Sequence, residues 1–157
     1  MEKIRMGILL FLLLTNHGCR RQDEIEIKPV KQNAANRFLK EIEKMKVITS
    51  SSDINNKTQS ILYGNSQALE NARAKSNLKS GAVLMLFTWK SKGDAEWFGG
   101  VVPAEISSLE VVENEAGNNY RYSRYQGKDL FAVQNLNKEF LAKRKTFILN
   151  QKSAVMP

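Results

Sequence analysis

Of the 157 residues, one is cysteine, one is histidine and three are proline. A single thiol cannot form an internal disulfide, so the fold has to rest on its core and not on cross-links. The lone His17 and Cys19 sit together in "LLLTNHGCRR", residues 12–21, and no imidazole or thiol follows them. For a domain built from the later residues this excludes Ser-His-Asp and Cys-His catalytic groupings, imidazole-held zinc or iron, and thiolate metal clusters. Long apolar runs are also missing: "MGILLFLLLT", Met6 to Thr15, is well short of the ~20 residues that span a bilayer. There is no internal repeat, low-complexity run or glycine motif for nucleotide phosphates.

Hydrophobic residues make up 42% of the chain and charged residues 25%, close to the averages of globular domains, so the chain is expected to fold as one domain around one core. The formal net charge is +8. Such a charge suits anionic membrane surfaces, acidic polysaccharide or an acidic protein partner, or is simply solvated.

Lys3 and Arg5 form a basic start, the apolar stretch follows, and the small Gly18 stands directly before Cys19. With these residues the N-terminus resembles the type II signal peptide of bacterial lipoproteins. The resemblance covers residues 1–21 only. It implies cleavage before Cys19, acylation of that cysteine, loss of His17 with the leader, and an exported protein anchored by lipid to a membrane of the bacterial cell envelope. A type I signal peptide with an incidental Cys19, or a buried N-terminal helix, also fits the pattern. The expected organisation is a signal peptide at 1–18, a lipidated cysteine and flexible tether at 19–32, and a globular domain at 33–157. The tether expectation comes from the polar, charge-mixed "RRQDEIEIKPVKQNAAN", which Pro29 interrupts.

In "NAANRFLKEIEKMKVI", residues 33–48, Ala35, Phe38, Leu39, Ile42 and Met45 recur at helical spacing and predict a first amphipathic helix. Residues 58–81 suit a second helix, interrupted at Gly64 and Asn65, with Ser66 as a cap for its second half. From Gly81 the period changes. "AVLMLFTW" is apolar on both alternating faces, "AEWFGGVVP" returns with a bulge expected at Gly99–Gly100 and an end at Pro103, and short strands then alternate with turns. "NKEFLAKRKTFILNQ", residues 137–151, suits a final basic amphipathic helix. The expected fold class is α+β: two N-terminal helices, an antiparallel meander of four or five strands and a C-terminal helix. That element order suits a cystatin-like or nuclear-transport-factor-like arrangement.

The segment "YRYSRYQGK", residues 120–128, interleaves tyrosine and arginine. Strand alternation puts Tyr120, Tyr122 and Arg124 on one face and Arg121, Ser123 and Tyr125 on the other. Stacking on tyrosine and hydrogen bonds from arginine make this a candidate binding surface, while tyrosine is also an ordinary strand residue and arginine keeps an outer strand soluble. Trp97, beside Trp89 and Phe98, is the remaining candidate; core packing is the commoner role of such residues. The acids Asp94, Glu96, Glu105, Glu110, Glu113 and Glu115 are scattered, without the paired spacing of a glycosidase. No catalytic, metal or cofactor site is expected, and export argues against nucleic acid as partner. The expected function is non-catalytic: a lipid-anchored interaction protein, accessory subunit or immunity-type inhibitor, with a protein partner in the envelope. A module for glycan or another small ligand, with a pocket near Trp89, Trp97 and Gly99–Gly100, is the competing expectation.

Overall fold

A computed structural model of the chain describes residues 27–28, 34–74, 76–117 and 119–154. The signal-peptide reading and Cys19 lie outside these residues. The described elements are β1 (Ile27–Lys28), α1 (Ala34–Ile42), β2 (Lys46–Asp53), β3 (Thr58–Gly64), α2 (Ser66–Ala74), β4 (Val83–Gly93), β5 (Val101–Ala116), β6 (Asn119–Gln126), β7 (Phe131–Val133) and α3 (Lys138–Leu149). The class is α+β. All strands join one antiparallel sheet in the order β1-β7-β6-β5-β4-β3-β2. Strands β2 to β7 form a continuous meander of six, and the two-residue β1 adds to its far edge. Ile27 and Lys28 thus belong to the sheet, inside the stretch expected as tether.

The meander is longer than the expected four or five strands, and two successive helices do not precede it. A β-hairpin, β2–β3, stands where the end of the first helix and the start of the second were expected. Val47, Ile48 and Thr49 are β-branched and lose rotamer freedom in a helix, so the chain leaves α1 at Ile42 and enters a strand. Asp53 closes the hairpin by accepting from the Asn56 backbone N–H at 3.0 Å and from its side-chain amide at 2.8 Å. The order "helices first, strands after", on which the cystatin-like and nuclear-transport-factor-like analogies rested, is therefore not the order of this chain.

Asn65, not Ser66, caps α2: its side-chain oxygen accepts from Ala68 N at 3.0 Å and from Val83 N at 3.2 Å, tying helix to sheet. Gly99 and Gly100 lie in the β4–β5 turn and not in a strand bulge, while the register shifts fall at Thr88–Trp89 and Trp89–Ser91. Pro103 does not end the strand. It sits opposite Ser91 in this irregular stretch, where a missing N–H is tolerated, and β5 runs on for 16 residues.

The sheet is covered on both faces. On one, Phe38 of α1 packs with Met85, Phe87, Leu109, Val111 and Leu130. On the other, Ile48, Leu62, Leu84, Leu86 and Val112 pack with Ala68 of α2 and Ile148 of α3. Asn137 caps α3, its side chain accepting from Glu139 N at 2.8 Å. The backbone N–H of Ala154 donates to Ile48 O at 2.9 Å, so the chain beyond α3 touches the β2 edge.

Gly64 is where α2 comes closest to the sheet. A Cβ there would lie 2.6 Å from Ile48 Cδ1 and 2.9 Å from Ala68 Cβ. Gly64→Ala is expected to destabilise the protein by about 1–3 kcal/mol through overpacking, read as a lower urea midpoint with unchanged m-value.

Candidate functional site

Glu110 sits in the middle of β5, only 2% exposed, on the α3 side of the sheet. Its carboxylate accepts from Tyr122 Oη at 2.6 Å and from Arg144 Nε and Nη2 at 2.9 and 2.7 Å. The bidentate pair joins β5 to α3, 34 residues further along the chain. Burial pushes the Tyr122 phenol well above its ordinary range, and the bond to Glu110 pushes the same way. The bond to Glu110 likewise raises Arg144.

The alternation expected for β6 is found, but its residues do not form one exposed patch. Tyr120 lines a cavity between the sheet, α2 and α3. Tyr122 is spent on Glu110, and Arg124 lies over the Phe140 ring of α3, 4.9 Å from its centroid. Tyr125 points to the opposite face, edge-on to Phe38 with ring centroids 4.7 Å apart. Trp97 is beyond the last rung of the β4–β5 pair, Gly93–Val101, away from all of these. The expected aromatic surface on β6 is therefore divided between two faces and partly covered, by α3 on one and by α1 on the other. Two hollows are described elsewhere in the fold.

One hollow, of about 340 Å³, lies between α1 and the sheet. Phe38, Val111 and Tyr125 line it together with Arg37, Glu41, Glu113 and Arg121. Arg121 pairs with Glu113 at 2.7 Å and Glu115 at 3.2 Å, and the hydrogen bond to Glu113 raises its pKa. Sequence reasoning missed Arg37 and Glu41 as companions of Tyr125; their i,i+4 spacing on an amphipathic helix was the available signal. The second hollow is the cavity that Tyr120 lines, with apolar side chains within and polar ones at its mouth.

The third feature is the β4–β5 tip. The Asp94 carboxylate accepts from the backbone N–H of Glu96 at 2.8 Å and of Trp97 at 3.2 Å. Gly100 N donates to Trp97 O, and Asp94 N to Gly100 O, both at 2.9 Å. Gly99 takes φ +75°, a conformation that favours glycine. This framework holds Trp97 78% exposed and Phe98 fully exposed. Of the scattered acids, Asp94 is engaged in this turn, Glu105 pairs with Lys90 at 3.1 Å, and Glu110, Glu113 and Glu115 are in the pairs given above.

The fold and its surfaces define an α+β domain with a projecting aromatic hairpin. Comparison with protein-family models and with curated proteins finds no match for the chain.

Two outcomes follow from the buried carboxylate. Glu110→Ala leaves Arg144 and Tyr122 facing each other without their acceptor and is expected to cost about 3 kcal/mol in urea denaturation, against about 1 for Tyr122→Phe. In an alkaline titration followed by ultraviolet difference absorbance, a late tyrosine step above the ordinary phenol range is expected, and Tyr122→Phe removes it. The folded pKa is raised, so this contribution to stability is full below the unfolded phenol value of ~10 and is lost as pH rises beyond it.

Proposed function

We propose that the protein is a lipid-anchored lipoprotein of the bacterial envelope with a non-catalytic, protein-binding role, as accessory subunit or immunity-type inhibitor, and that the β4–β5 tip is its docking element. The observation that carries this is the pair Trp97–Phe98, exposed side by side on a turn that its own hydrogen bonds hold in place. Exposed large aromatics on a preorganised turn suit an interface anchor, since little ordering remains to be done on binding. Burying both rings removes about 300–500 Å² from water, a gross gain of roughly 8–12 kcal/mol before the costs of association.

The direction of β1 supports a partner beyond the anchoring membrane. Its register, Ile27 opposite Val133 and Lys28 opposite Ala132, makes it run towards the tip end of the sheet. If the anchor lies at the end of the sheet from which β1 starts, the tip faces away from the membrane. The eight residues from Cys19 to Glu26 extend at most about 29 Å. Export, on this reading, argues against nucleic acid as partner.

A second reading, glycan binding, is favoured by the hollow beside α1, where the aromatic edges of Phe38 and Tyr125 meet Arg37, Glu41 and Arg121.

The test joins anchor and tip. Intact-mass spectrometry of the membrane-extracted protein is expected to show a diacylglycerol gain that Cys19→Ser abolishes; an unmodified chain retaining Met1 sinks the anchoring. A photo-crosslinking residue in place of Phe98 is expected to give one adduct in cells, absent with the same residue at Lys145 and lost when Trp97→Ala is added. Equal labelling at both positions, or none, contradicts the tip as docking element. Saturable binding of muropeptides, lost in Arg121→Ala while Phe98 gives no adduct, favours the glycan reading instead.

A further inference from the structure

A cavity of about 370 Å³ lies between the sheet, α2 and α3, on the face opposite the α1 hollow. Its size falls in the range of small-molecule sites, ~300–1,000 Å³. Its walls are Ile48, Leu62 and Leu84 from three adjacent strands, Ala72 from α2, and Ile148 from α3, with the Tyr120 ring at one side. The exposed Ser76, Asn77 and Asn150 form the mouth. The space arises from side-chain size: α2 turns alanines, Ala68 and Ala72, towards the sheet where larger residues would fill the volume.

No charged side chain is found among the described residues that line the cavity. Two buried amides adjoin its mouth. Asn71, 1% exposed, donates through Nδ2 to Asn77 O at 2.8 Å, and Asn114, 2% exposed, donates to Leu78 O at 2.6 Å. Both acceptor residues line the cavity, so each amide is one hydrogen bond away from its lining. The Oδ1 atom of each is buried without a hydrogen-bond partner among the described residues. Native proteins rarely leave such acceptors unpaired.

From these observations we infer that the cavity is a binding site for an uncharged small molecule with an apolar body and a hydrogen-bond donor at its head, such as a medium-chain alcohol or primary amide. The apolar walls take the body, and the neutral amides and hydroxyls at the mouth take the head. A carboxylate of the same length is bound more weakly, because the described lining residues supply no cation and an unpaired buried charge is strongly disfavoured. The site is independent of the tip and of any protein partner.

The test is a titration of the purified full chain, methyl-labelled at Ile, Leu and Val, with decanol, decanamide and decanoate, followed by NMR. The alcohol and the amide are expected to give saturable shifts at Ile48, Leu62, Leu84 and Ile148 and none at Leu109 and Val111 on the other face. Decanoate is expected to bind at least about tenfold more weakly. Ala72→Phe, which fills the cavity, is expected to weaken the alcohol at least about tenfold with no loss of thermal stability, and Ala72→Leu serves if the larger residue prevents folding. The inference is overturned by shifts that do not saturate or appear on both faces, by decanoate binding as tightly as the alcohol, or by alcohol binding that survives the filled cavity.

Discussion

One carboxylate organises this fold. Glu110 stands at the centre of the longest strand, out of water, and a buried carboxylate is tolerated only where charge and hydrogen bonds meet it from several sides. Arg144 supplies the charge and a two-point hydrogen bond, and Tyr122 on the neighbouring strand supplies a third donor. Because Arg144 is on α3, the requirement to satisfy Glu110 fixes where the last helix lies against the sheet. Ile148 follows one turn later and is fully buried. The Arg144 guanidinium also lies over the Phe147 ring, 4.8 Å from its centroid, so a half-exposed aromatic packs on the same ion pair.

The placement of α3 decides which surfaces remain. Together with α2 it covers the β2–β5 face but leaves the cavity where α2 presents alanine. The Tyr120–Tyr122–Arg124 face of β6 is partly covered by this packing, as α1 partly covers Tyr125 on the reverse. The part of the β4–β5 hairpin that outruns the other strands stays exposed, as do Ile54 at the β2–β3 turn and, in part, Phe147 on α3. At the hairpin end the Asp94 carboxylate and the two glycines shape the turn locally, and Gln59 Nε2 of β3 donates to Val101 O at 3.2 Å. The aromatic tip and the buried carboxylate are thus at opposite extremes of one strand pair: the centre is rigid by packing, the end by its turn.

Much of the second half of the chain was legible in the sequence. The doubly apolar "AVLMLFTW" gives the central strand β4, the alternation in "YRYSRYQ" gives both faces of β6, and Asn137 followed by a helical pattern gives α3. The first half was harder because the helical spacing from Ala35 to Met45 continues without a break signal into Val47–Thr49, where β-branching and pairing with β3 take over. Residues 58–64 form a strand where the pattern suits a helix: a short run such as "SILY" fits either period, and its pairing with β4 settles the matter only in three dimensions. For the candidate residues, alternation told which tyrosines share a face but not that helices would cover both faces. Glu110 carried a signal that was available: in "SSLEVVENE" it occupies an inward position in step with Val112, where an acid requires a partner. Arg144 carried none, since it looks like its neighbours in "AKRK" until the sheet beneath it is known.

The central claim is that Glu110 and Arg144 act as a unit in fixing α3 to the sheet. A double-mutant cycle with Glu110→Leu and Arg144→Leu, measured by urea denaturation, tests it most directly. The account predicts that each single change is strongly destabilising while the double change costs less than the sum by about 2 kcal/mol or more, since removing both partners leaves no uncompensated charge. Additive costs would contradict it, and would mean that α3 is held by its apolar contacts alone.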